Sequence, residues 1–133
     1  MARVKYIPVD IYRTTLTIFV GDIKELHEFA KKCSQDNPDF NELLDCIEDD
    51  LDNNSFEAST YWGSKTRTPV VYLPSLSLKA GSLEVIVHEL FHVVFLILGD
   101  IGVQVDPNNN EAFAYLLGYL VRQVFTRKGY EKV

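Results

Sequence analysis

The pentapeptide His88-Glu89-Leu90-Phe91-His92 sits inside the apolar stretch from Val85 to Leu98, and no other feature constrains the chain as much. On a helix, positions i and i+4 share one face, so both imidazoles can reach one metal ion. The glutamate between them projects beside that face, where it can hold and deprotonate a water. The surrounding residues are apolar nearly all round, which predicts a buried central helix. Ser82 is its expected N-cap, with Glu84 in the first turn, and Gly99 its expected C-terminal glycine.

The rest of the chain supplies what such a helix packs against. Val4 to Val9 and Thr14 to Val20 read as strands, the second alternating Leu16, Ile18 and Val20 against Thr15, Thr17 and Phe19. Asp22 caps a helix to about Lys32, with Ile23, Leu26, Phe29 and Ala30 on its apolar face. A second helix spans Phe40 to Leu51, burying Leu43, Leu44 and Ile47; its acidic end, Glu48 to Asp52, reads as a solvated face. Phe56 to Trp62 and Thr68 to Leu73 read as two more strands. Pro69 and Pro74 bracket the second and mark it as an edge strand. A last helix runs from Pro107 to Arg127, with Asp106 and Pro107 at its start. Tyr61, Trp62 and Tyr72 are expected to pack in the sheet.

Composition sets the limits. A chain of 133 residues with 47% hydrophobic content fits one domain over residues 1–133 with a core of its own. A net charge of -6 without a basic cluster argues against nucleic acid and against an anionic membrane. The Val85–Leu98 stretch reads as too short and too polar to span a bilayer. No secretory signal is visible, so a cytoplasmic location is expected. Cys33 and Cys46 form no metal-ligand spacing and are expected as free thiols. His27 falls on an amphipathic helix and is expected at the surface.

A catalytic zinc takes three protein ligands and keeps one position open. His88 and His92 supply two. Phe95 and Leu98 stand where a metzincin would carry its glycine and third histidine, which excludes that continuation. Glu111 is the strongest candidate for the third ligand, on the first turns of the next helix; Asp106 and Asp100 are the substitutes. Glu111, Tyr115, Gly118 and Arg122 share one helix face, and Gly118 would let that face approach the motif helix closely.

His88-Glu89-x-x-His92 followed at this distance by Glu111 resembles the gluzincin branch of the zincin metallopeptidases, over Val70 to Val121. Glu111-Ala112-Phe113-Ala114-Tyr115-Leu116-Leu117-Gly118-Tyr119 also resembles the corresponding helix of small metallopeptidases encoded by bacteriophages. The resemblance implies an α+β zincin-like domain, with a small, mostly antiparallel sheet packed against the motif helix and the Glu111 helix. It implies Zn2+ on His88, His92 and Glu111, with Glu89 as general base for peptide-bond hydrolysis. A substrate would lie along the Thr68–Leu73 strand, against Val70, Val71 and Tyr72. Tyr115, Tyr119 and Arg122 are candidates for oxyanion stabilisation and substrate contact from helix geometry. The expected partner is a peptide or protein substrate, a phage or host target if phage-encoded. The alternatives are a non-catalytic structural or interaction protein that retains a zinc, and a hydrolase of another amide.

Overall fold

A computed structural model describes residues 2–53 and 57–133. Strands β1 (Arg3–Val9), β2 (Thr14–Val20), β3 (Ser59–Trp62), β4 (Pro69–Leu73) and β5 (Glu131–Lys132) form one sheet in the order β3-β4-β2-β1-β5. The β2–β4 pair is parallel, and the other three pairs are antiparallel. Helices α1 (Ile23–Asp36), α2 (Asn41–Asp52), α3 (Ala80–Asp100) and α4 (Asn110–Phe125) cover it. The mixed α+β class and the mostly antiparallel sheet match expectation. Phe56, expected to open β3, lies outside the described residues.

Side-chain alternation along the strands divides the core into two layers. Leu16, Ile18 and Val20 of β2 join Ile7, Val9, Val71 and Leu73 under α3 and α4. Phe19, one register step away, joins Val4, Val70 and Tyr72 under α1 and α2. The sheet is therefore covered on both faces, whereas the sequence led us to expect packing on the motif helix and its successor. The face under α1 and α2 is built on plain amphipathicity. α1 buries Ile23, Leu26 and Ala30, and Asp22 and Glu25 close a full capping box at its start. His27 is half-buried there, 3.7 Å from Glu48, rather than fully at the surface. Cys33 and Cys46 are free, and burial pushes both thiols up from their ordinary range.

One strand is placed differently from expectation. β4 is internal, paired to β3 on one side and β2 on the other, and all five of its residues are buried. Pro69 is its first residue and Pro74 follows its last, so neither missing N–H interrupts the ladder. The edge strand on this side is β3. Val70, Val71 and Tyr72 are thus core residues and cannot offer a free backbone edge to a substrate.

The helices of the second face also begin and end elsewhere. α3 starts at Ala80, two residues before Ser82, with Lys79 at the cap position. It runs through Gly99, and the reversal falls on Gly102, whose φ of 83° suits glycine. There the N–H of Val103 donates to the Leu98 carbonyl at 2.9 Å and that of Gly102 to Gly99 at 3.0 Å, a Schellman closure. Pro107 lies in a turn before α4: the Asp106 carboxylate accepts from the N–H groups of Asn108 and Asn109, and the Asn109 side chain accepts from Asp106 N–H. α4 ends against a buried cation. Lys5 of β1 donates to the Gln123 and Thr126 carbonyls at 2.6 and 2.8 Å, where the helix dipole is negative. Desolvation lowers the Lys5 pKa.

The helix extends the Val85–Leu98 stretch to 21 residues, which by length and composition alone is long and apolar enough to cross a membrane. In the fold, its apolar residues Ile86, Leu90, Val93, Val94, Ile97 and Leu98 are buried against the sheet and α4.

Candidate metal centre

The buried stripe of α3 fixes where its polar residues point. Successive residues turn by about 100°, so a helix seated on Ile86, Leu90, Val93 and Ile97 carries His88 and His92 on its outward side. Both imidazoles are exposed. Glu89 falls about a quarter-turn away, toward β3, and is 7% exposed.

His88, Glu89 and His92 place one ligand atom each within 4.8 Å of one another, the group among the described residues that can hold a metal. The two Nε2 atoms are 3.1 Å apart, with the rings at 81°. Zinc–nitrogen bonds of about 2.0–2.1 Å at a tetrahedral angle separate two donors by roughly 3.3 Å. The imidazoles are therefore spaced for adjacent positions on one ion. Without an ion, one ring N–H can donate to the other ring's lone pair at the same distance. Glu89 Oε2 lies 3.8 Å from His88 Nε2.

The other oxygen of Glu89 is held by the sheet. Thr60 Oγ1 donates toward Glu89 Oε1 at 3.1 Å and toward the Glu89 carbonyl at 3.2 Å. Sequence reading assigned Thr60 only to a strand. Nothing in its local pattern distinguishes it from Ser59, because the partner is on α3, 29 positions later.

The centre is lined by two clefts, one at the end of β4 and the start of α3 and one between β3 and α3. One, of about 710 Å³, runs past His88 and Glu89 and carries Glu57 and Glu84. The other, of about 460 Å³, runs past Glu89 and His92 and carries Trp62, Phe95 and Leu96. Trp62 thus lines the approach to the histidines as well as ending a strand.

The remaining residues proposed from sequence are dispersed. Glu111 is exposed in the first turn of α4 and stands outside the His88–Glu89–His92 group. Phe113, Leu116, Leu120 and Val124 form the buried stripe of α4, so Glu111 sits on the side away from the sheet, as the histidines do on α3. Among the described residues its carboxylate has no hydrogen bond or ion pair. Phe95 and Phe113, with ring centroids 5.3 Å apart, join the two helices near this level. Gly118 is not a close-packing point, since a Cβ there would meet nothing within 4 Å. Its face looks to solvent because the apolar stripe, rather than the glycine, seats the helix.

Tyr119 donates its hydroxyl to the Pro8 carbonyl at 2.6 Å, and with Tyr115 it lines a separate groove against β1 and the turn Asp10–Tyr12. Neither histidine lines that groove. Arg122 is exposed in the last turn of α4. Asp100 is engaged by Arg67 at 2.9 Å, and Asp106 by the turn before α4. Tyr61 is hydrogen-bonded to Asp50; burial, then that bond, pushes its pKa strongly upward.

Comparison of the chain with protein-family models, curated proteins and solved structures finds no match.

Proposed function

We propose that this protein is a zinc-dependent hydrolase of peptide bonds. The observation that carries the reading is the pair of Nε2 atoms 3.1 Å apart with a buried carboxylate beside them. Bound zinc would polarise the scissile carbonyl and lower the pKa of its water toward about 7. His88 and His92 are the donors from α3. Glu111, an outward carboxylate without a partner among the described residues, is the donor assigned to the third position. Glu89 takes the proton from the attacking water and passes it to the leaving amine. Trp62, Phe95, Glu57 and Glu84 line the two sides on which a substrate chain would extend. β3, the edge strand among the described residues, offers the backbone groups that β-augmentation uses.

The placement of the histidines bears on the alternative of a structural zinc. Both come from one helix, so the two alone cross-link no separate segments, and they sit on the exposed side. A metal there is open to solvent, as a catalytic ion must be.

Metal analysis and a peptide-cleavage assay on the wild type and Glu89→Gln test the proposal. We expect about one zinc per chain in both proteins, with turnover reduced about 10²–10⁴-fold in the variant. A metal-free wild type, or a variant with undiminished cleavage, refutes it.

A further inference from the structure

We propose that Thr60 is the positioning residue for Glu89, so that the strand a substrate would pair with also aims the general base. This rests on the hydrolase reading above. Thr60 lies in the middle of β3, at the edge of the sheet. Strand alternation sends Tyr61 to the opposite face, where it bonds Asp50 of α2, and Thr60 to the α3 face.

The single Thr60 hydroxyl hydrogen is shared between two acceptors, both on Glu89: the carboxylate oxygen Oε1 at 3.1 Å and the backbone carbonyl at 3.2 Å. Among the described residues no other side chain donates a hydrogen bond to Glu89. With Oε1 tied to β3, Oε2 is the oxygen left toward the imidazoles, 3.8 Å from His88 Nε2. The donor is well chosen. A β-branched side chain has few rotamers, so the hydroxyl is held rather than swung into place. The carbonyl contact fixes the strand to the helix backbone at the same point. A peptide added along β3 would take its register from the residue that orients the base, and a misplacement of about 1 Å at a reacting group can cost about 100-fold in rate.

The test compares Thr60→Val, which keeps the branched shape and removes the donor, with Thr60→Ser, which keeps the donor. In the zinc-loaded protein, Thr60→Val should lower kcat by about 10- to 100-fold, with KM and zinc content unchanged. Thr60→Ser should recover most of the loss. A crystal structure of Thr60→Val should show the Glu89 carboxylate turned from its wild-type position. Wild-type kcat in Thr60→Val, or an unmoved carboxylate, overturns the assignment. A matching fall in zinc content would make Thr60 a general support of the site and overturn it equally. If the wild type binds zinc and cleaves no peptide, the hydrolase reading has failed; the Glu89 orientation in the two crystal structures still decides what Thr60 does.

Discussion

The two faces of the sheet are built by different rules. Under α1 and α2, each helix has one apolar side and a polar remainder, and α1 has a capping box that fixes its first residue. Under α3 and α4, the helices are more apolar and the side facing the sheet has to be found in the fold. The candidate metal centre lies on a helix of this second face. α3 buries seven residues, Glu89 among them, yet leaves Phe91 and Phe95 beside the histidines half-exposed. Amphipathic helices tell a reader where they face. Helices apolar nearly all round do not, and only their neighbours orient them.

Truncating one core leucine on each face gives the largest expected effect on stability. Leu26→Ala, under α1, and Leu90→Ala, under α3, each remove a side chain with no exposed surface. Each should lose about 2–5 kcal/mol in denaturant unfolding. The faces should then separate on zinc affinity of the folded protein. Leu90 follows Glu89 directly, so Leu90→Ala should weaken zinc binding, while Leu26→Ala should leave it unchanged. Equal affinity in both variants would mean that the packing of α3 does not set the site.

Glu111→Ala carries the comparison to the second helix of that face. Zinc affinity measured by competition with a chelator should fall by roughly 100-fold, the upper range seen even for groups that only support a ligand. Metal-free stability should hardly change, because the side chain is exposed and unpaired among the described residues. Unchanged affinity would remove Glu111 from the coordination set.

The smallest effect concerns the end of α3. Gly102→Ala forces a side chain into a left-handed conformation and should cost about 1–2 kcal/mol. Gly99→Ala, within the helix where a Cβ meets nothing within 4 Å, should gain up to about 1 kcal/mol. Thermal melts that rank the two the other way would restore Gly99 as the helix stop.

Much of this fold was legible one element at a time. β2 was read with both ends right, α1 with its Asp22 cap but four residues short at its C-terminal end, and α2 to within a residue at each end, with Ile23, Leu26, Ala30, Leu43 and Ile47 buried as expected and Phe29 and Leu44 only partly. The errors share one cause. Ser82, Gly99 and Pro107 are good punctuation in isolation, but α3 and α4 end where tertiary contacts and the Gly102 reversal end them. β4 read as an edge strand because of its two prolines, whereas the ladder is decided by partners supplied from β2 and β3.

The sequence by itself determined that two imidazoles and a carboxylate meet on one helix, since a spacing of four residues brings side chains together in any α-helix. The alternation in β2 also set Leu16, Ile18 and Val20 on one side of the sheet; that α1 and α2 cover the other side, only the fold decided. Only the tertiary structure decided that Glu89 is held by Thr60, that β3 rather than β4 forms the edge beside the histidines, and that Tyr115 and Tyr119 line another groove. Those outcomes depend on segments brought together across 29 or 111 positions of chain, and no local period encodes such a meeting.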